Sequence, residues 1–236
     1  MSSASEMDLL KERVGSYALK FVDGCKLIGL GHGSTTDHFT RALGRLPDAA
    51  SRFQCACVSR ATHRVALEAG LTVIPDDKVE LLDIYVDGAD EITPQKTMIK
   101  GGGGALLRER IGASLAKFRV ILVDYTKVHV QLGQFPIPIE ISNYGYDHVV
   151  TNVNKTLEEL GHKIEFGRLR LDKNERLFYT DNGYPIYDVK IDNISDPKEL
   201  GNALQNVTGV VAHGIFVGLC DIACVIDGDG VVAEIE

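Results

Sequence analysis

Between residues 26 and 124 the chain alternates short apolar runs with amphipathic segments, and this alternation limits its fold more than any other feature. The runs 26–30, 53–58, 71–74, 82–86 and 119–123 are too short for helices and are followed by Gly, Ser, Pro or Asp, so they read as buried strands. Segments 37–46, 60–67 and 105–117 have helical character, and 9–21 carries Leu10, Val14, Tyr17 and Phe21 at helical spacing. Such an order predicts an α/β fold with a doubly wound, mostly parallel, Rossmann-like sheet.

In such sheets, ligands bind beyond the carboxyl ends of the strands. Four polar clusters directly follow predicted strands: Gly31 to Thr35, Ser59, Asp87 to Asp90, and Asp124 to Lys127. The topology therefore predicts that they gather on one rim.

After residue 131 the pattern changes. Residues 135–140 are extended and broken by prolines, 147–160 form a helix stopped by Gly161, and 162–171 alternate as a strand. Asp181, Asn182 and Gly183 are a strong turn signal and predict a hairpin over 177–191. Residues 197–204 are helical, and 222–226 and 231–235 return to apolar strands. The expected organisation is a discontinuous α/β domain, 1–132 plus 206–236, with a small α+β domain inserted at 133–205.

The formal net charge of −8 excludes nucleic acid or an anionic membrane as the main partner. It leaves room for a phosphorylated small molecule, held by local lysines and backbone N–H groups. No apolar run reaches transmembrane length and the N-terminus has no apolar signal region, so a cytoplasmic protein is expected. The five cysteines have no CxxC spacing and read as small buried hydrophobes rather than as disulfides or a metal site.

Chemistry concentrates in 87–109, where Asp87, Asp90, Glu91, Lys100, four consecutive glycines (Gly101, Gly102, Gly103, Gly104) and Glu109 occupy 23 residues. Glycine is tolerated at such entropic cost where backbone must approach something closely. Lys100 and the following N–H groups form a candidate anion cradle at a helix N-terminus. It is not a Walker A loop, because the lysine precedes the glycines. Asp87 and Asp90, flanking Gly88 and Ala89, suit sugar hydroxyls or proton exchange; an Asx-turn pair or a divalent cation are the alternatives. Glu109 lies about 7.5 Å into the following helix. It is away from an expected apolar stripe of Leu107, Ile111 and Leu115, on a face with Ala105, Gly112, Ala113 and Ala116 where a second surface could approach closely. Position alone favours a solvated glutamate paired with Arg108 or Arg110, and only the flanking glycines and carboxylates argue against that. His32, Gly33, Ser34 and Thr35 form a strand-to-helix turn, with His32 as loop lining. The spacing is not GxGxxG and no acidic residue closes the next strand, which disfavours a nicotinamide site. Lys127 fits a phosphate contact or a solvated surface.

The strings GHGST, YVDGADEI, IKGGGGALLRE and VDYTK, the last followed by LGQFPIPIEI, resemble the type A ribose-5-phosphate isomerases in order and spacing. The likeness runs from about Lys11 to GVVAHGIF. It implies interconversion of ribose 5-phosphate and ribulose 5-phosphate through an enediolate, with no cofactor and no metal. It further implies Glu109 as the proton-transferring base, Asp87 and Asp90 for ring opening and hydroxyl binding, and Lys100 against developing negative charge. Ser34, Thr35, Lys127 and Lys11 match phosphate and substrate contacts. The family fold is an α/β domain with a ferredoxin-like insertion, assembled as homodimers or homotetramers. The chain departs at His32, where the family usually has threonine, and more mildly at Gly104, often alanine. A non-catalytic sugar-phosphate sensor on the same sheet is the main rival; it would lack Glu109 and usually carry a DNA-binding segment.

Overall fold

The computed structural model describes residues 4–236. Its strands are β1 (Leu27–Leu30), β2 (Gln54–Cys57), β3 (Thr72–Val73), β4 (Leu82–Gly88), β5 (Glu91–Ile92), β6 (Met98–Ile99) and β7 (Ala116–Asp124), then β8 (Ile137–Ile141), β9 (Ile164–Leu169), β10 (Ile186–Ile191), β11 (Val210–His213), β12 (Ile215–Phe216), β13 (Ile222–Ile226) and β14 (Val232–Ile235). The α-helices are α1 (Ala4–Tyr17), α2 (Ser34–Gly44), α3 (Ala49–Arg52), α4 (Arg60–Glu68), α5 (Leu106–Leu115), α6 (Tyr146–Glu159) and α7 (Pro197–Gln205).

Two compact units result, both discontinuous: residues 1–89, 108–128 and 218–236, and residues 90–107 and 129–217. This division differs from the expected insertion at 133–205. Residues 90–107, 129–132 and 206–217 join the second unit, where β5, β6 and β12 form a small antiparallel sheet of their own. Buried Glu91 strengthens the connection by accepting the N–H groups of Gly133, Gln134 and Phe135 at 3.2, 3.2 and 3.0 Å. A buried carboxylate needs such partners.

The first unit is a seven-stranded sheet in the order β14-β13-β7-β4-β1-β2-β3, parallel except for the edge strand β14. Because side chains alternate along a strand, Ile84 and Val86 of β4 face a core that contains Leu10 and Val14 of α1 and Phe39 and Leu43 of α2. Tyr85 and Asp87 point the other way. Asp83 ties three strands together: its carboxylate accepts the N–H groups of Lys26 and Leu27 at 2.9 and 3.0 Å and the Lys117 ammonium at 2.8 Å. Arg119 and Asp221 clamp β7 to the start of β13, with the guanidinium donating at 2.7 and 2.8 Å.

The second unit contains a four-stranded antiparallel sheet in the order β11-β8-β10-β9. Read along the chain it is β8-α6-β9-β10-α7-β11, the ferredoxin-like βαββαβ arrangement. The turn at Asp181 to Gly183 forms, with Thr180 N–H donating to the Tyr184 carbonyl at 2.9 Å. The predicted hairpin is only partial: 177–180 contributes single bridges, and β10 pairs instead with β8 and β9.

Helix α5 corrects one expectation. Ile111 is 48% exposed, while Glu109, Gly112 and Ala113 are buried. The glycine and alanine face turns inward because the bulky Tyr85 ring occupies that side, as a Cβ on Gly112 would lie 2.8 Å from it. Segment 116–117, expected to be helical, begins β7 instead.

Cys55, Cys220 and Cys224 are buried and Cys25 and Cys57 half-buried, all as free thiols. Burial pushes the thiols of Cys55, Cys57 and Cys224 up to about 12. Among the described residues no helix is long and apolar enough to cross a membrane.

Candidate active site

In the first unit β1, β4 and β7 are parallel neighbours, with Leu30 opposite Val86 and Gly88 opposite Leu122. Their carboxyl ends therefore bring the turn from Gly31 to Thr35, the segment Asp87 to Ala89, and Asp124 to Lys127 to one rim. Ser59 follows β2 on the same rim and caps α4, accepting the Thr62 N–H at 3.0 Å.

Helix α2 starts at Ser34, three residues earlier than the sequence suggests, with Gly33 as its N-cap. Ser34 and Thr35 thus sit in its first turn, where unpaired N–H groups and the positive end of the helix dipole favour an anion. Lys11 of α1 reaches the same place, its ammonium donating to Ser34 Oγ at 3.0 Å. His32 is anchored twice: its N–H donates to Asp87 Oδ1 at 3.0 Å, and its Nδ1 lies 2.9 Å from Ser59 Oγ. Lys127 lies half-buried in a 3-10 turn that begins after Asp124, which accepts the Thr126 N–H at 2.9 Å. No hydrogen bond joins Lys127 to Ser34 or Thr35 among the described residues.

Asp87 is fully buried. Besides His32, its Oδ1 accepts the Gly88 N–H at 2.7 Å and the Thr36 hydroxyl at 3.5 Å, while Tyr85 donates its hydroxyl to Oδ2 at 2.5 Å. Glu109 occupies the first turn of α5 and is only 2% exposed. It is close enough to Tyr85 to act on its phenol. Burial pushes that phenol well above its ordinary value, with the charges of Asp87 and Glu109 adding to the effect.

In the second unit Asp90 and the glycine run form one structure. Gly102 N–H donates to Asp90 Oδ2 at 2.7 Å, and Gly104 N–H to the Gly101 carbonyl at 3.0 Å. Two of the four glycine N–H groups are thus engaged inside the turn rather than offered to an anion. From the other side, Arg170 donates to the carbonyls of Gly101 and Gly102 at 2.9 and 3.0 Å and is itself fixed by Asp188. Gly103 stays exposed at the tip. Lys100 is 2% exposed, its N–H on the Gly214 carbonyl at 2.9 Å and its ammonium 5.6 Å from the centre of the Phe216 ring.

Sequence reasoning missed Tyr85, Thr36 and Arg170. For Tyr85 a signal existed, since residues two apart on a strand share a face and Tyr85 precedes Asp87 by two. Arg170 carried none, because the glycine carbonyls it holds lie 68 and 69 residues away. Among the described residues no group of three or more His, Cys, Asp or Glu side chains is arranged to hold a metal ion.

Comparison with known proteins adds a family. A sequence model described as ribose 5-phosphate isomerase A (phosphoriboisomerase A) matches residues 54–230. A ribose-5-phosphate isomerase A from Bradyrhizobium diazoefficiens is 37% identical over 228 residues, covering 95% of each chain. One from Protochlamydia amoebophila is 38% identical over 210 residues, covering 89% of this chain and 88% of its own. Among solved structures, a D-ribose-5-phosphate isomerase in complex with phospho-erythronic acid superposes with a TM-score of 0.87 at 32% identity, over 96% of this chain and 97% of its own. The ribose 5-phosphate isomerase of Plasmodium falciparum gives 0.86 at 33% identity, over the same shares.

Proposed function

The chain belongs to the ribose 5-phosphate isomerase A family, and on that premise we infer that it interconverts ribose 5-phosphate and ribulose 5-phosphate, with Glu109 as the base. In the open-chain aldose, the Glu109 carboxylate takes the proton from C2. The electron pair left on C2 moves into a C1–C2 double bond, and the carbonyl oxygen gains negative charge as an enediolate. Return of the same proton to C1, with transfer of the hydroxyl proton from O2 to O1, completes the ketose. One carboxylate that serves both carbons suffices.

Lys100 supports the reaction by stabilising the enediolate oxygen, an interaction stronger in the transition state than in the ground state. Asp90, half-buried beside Gly102, is assigned to sugar hydroxyls and ring opening. Asp87 is assigned to the same task through the turn it holds, since both of its oxygens already accept protein donors. Ser34, Thr35 and Lys11 are assigned to the phosphate, with Lys127 as a further contact; His32, Gly33, Gly88, Ala89 and Gly101 to Gly103 line the substrate. The chemistry asks for no metal or cofactor. Assembly as a homodimer or homotetramer and a cytoplasmic location belong to the same reading, on the family resemblance alone.

The observation that carries the assignment is the burial of Glu109 in the first turn of α5, directly after Lys100 and the glycine turn. It explains why a glutamate among two arginines is not left in solvent. The test is to treat the protein with chelator and incubate it with ribose 5-phosphate in deuterated water. Ribulose 5-phosphate forms, with deuterium entering at its C1 to the extent that the proton held by Glu109 exchanges with solvent before it is returned. Absence of conversion by the chelated protein, restored by a metal, would overturn the reading.

A further inference from the structure

Tyr85 has no place in the chemistry above, yet it is the largest fully buried side chain and touches Asp87 directly. Its ring is held from two sides. Gly29 is its paired neighbour on β1, and Gly112 faces it from α5; a Cβ on either would lie 2.6 or 2.8 Å from a ring carbon. Both glycines leave room for an aromatic ring that then has little room to move. At its tip the hydroxyl donates to Asp87 Oδ2.

A carboxylate turns as a rigid unit, so fixing Oδ2 also fixes Oδ1. Oδ1 holds the N–H groups of His32 and Gly88. Gly31 shows how closely the turn is fitted to this carboxylate, because a Cβ there would lie 2.0 Å from Asp87 Oδ1. The chain of contacts runs from the Tyr85 hydroxyl through Asp87 to the backbone of the turn that leads into Ser34 and Thr35. A neutral phenol is suited to the task, since it donates a strong charge-assisted bond without placing a further charge beside Glu109.

We propose that Tyr85 is a positioning residue for the isomerisation, locking the Asp87 carboxylate and, through it, the turn from Gly31 to Thr35 on which the sugar phosphate is held. The proposal rests on the assignment of that turn to substrate binding. Its signature is a raised KM rather than a lowered kcat, because Tyr85 acts on the binding turn and not on the proton transfer.

The test is a double-mutant cycle with Tyr85→Phe, Asp87→Asn and the double variant, reading kcat and KM for ribose 5-phosphate. Tyr85→Phe keeps the ring and loses only the donor. It raises KM at least five-fold and changes kcat less than three-fold. In the Asp87→Asn background the same substitution changes KM less than two-fold. A wild-type KM for Tyr85→Phe, or the same factor in both backgrounds, overturns the proposal. If Tyr85→Phe does not fold, Gly112→Ala takes its place, since it favours the helix while pressing on the ring from behind. A KM raised two-fold or more only when Asp87 is present supports the proposal; an unchanged KM overturns it. If the unsubstituted protein shows no isomerase activity, the functional reading fails instead, a result distinct from an active enzyme indifferent to Tyr85.

Discussion

Gly104 and Phe178 compete for one volume: a Cβ on Gly104 would lie 2.6 Å from Cζ of Phe178, and Gly104 adopts φ +85°. The Phe178 ring also lies 5.8 Å from the guanidinium of Arg170, the residue that holds the glycine turn. Alanine at 104 therefore meets both a steric and a backbone penalty. Gly104→Ala is expected to lose about 1–3 kcal/mol by overpacking, with the melting temperature falling about 2–4 °C for each kcal/mol. Adding Phe178→Leu recovers part of the loss. An unchanged melting temperature for Gly104→Ala would show that the ring yields freely.

Glu109→Gln keeps the size of the side chain and removes its capacity to carry a proton. Steady-state assays are expected to show kcat lowered by roughly 10²–10⁴, with KM within two-fold of the parent. Turnover close to that of the parent would remove Glu109 from the mechanism.

Threonine at position 32 restores the hydroxyl usual in the family while giving up the 2.9 Å contact between the His32 ring and Ser59. The backbone bond from residue 32 to Asp87 does not depend on the side chain. His32→Thr is thus expected to remain active and to change KM more than kcat. A collapse of kcat would make the imidazole a participant in the chemistry.

The three-strand clip at Asp83 predicts a pH dependence of stability. The Lys117 ammonium and the N–H groups of Leu27 and Lys26 hold its carboxyl well below the usual carboxylate range. A depressed folded-state pKa stabilises the protein fully above the unfolded value of about 3.9, and this contribution disappears as pH falls toward the folded value. Asp83→Asn is accordingly expected to melt below the parent at neutral pH, with the gap narrowing on acidification below about pH 4. Melting curves at pH 7 and pH 3 check this, and a gap that widens in acid contradicts it.

The parallel sheet was readable because its strands are nearly continuous apolar runs, each stopped by a residue with turn or cap chemistry. Ser59 is the clearest case, predicted to end a strand and found capping α4. The direction of α5 was only partly readable: its small-residue face admits a close approach, but nothing local says what fills it. Leu107, Ile111 and Leu115 make a convincing stripe, but an aromatic ring on β4 can claim the opposite face wherever glycine admits it. No window of local sequence contains both Tyr85 and Gly112. The glycine run departs from its expected form for a similar reason. Its N–H groups looked available because their acceptors, Asp90 and the Gly101 carbonyl, become partners only once the turn has formed.

The place of β13 in the first unit bears on how the protein is made. β7 ends at residue 124, and its neighbour β13 starts at residue 222. At roughly 5–20 residues per second of synthesis, one side of a strongly apolar strand waits on the order of 5–20 seconds for its partner. Throughout that interval the nascent chain presents an open, parallel-pairing edge, the kind that recruits other chains. Stop codons just ahead of residue 222 would make that interval permanent, yielding a chain whose fate is capture or aggregation rather than a smaller enzyme.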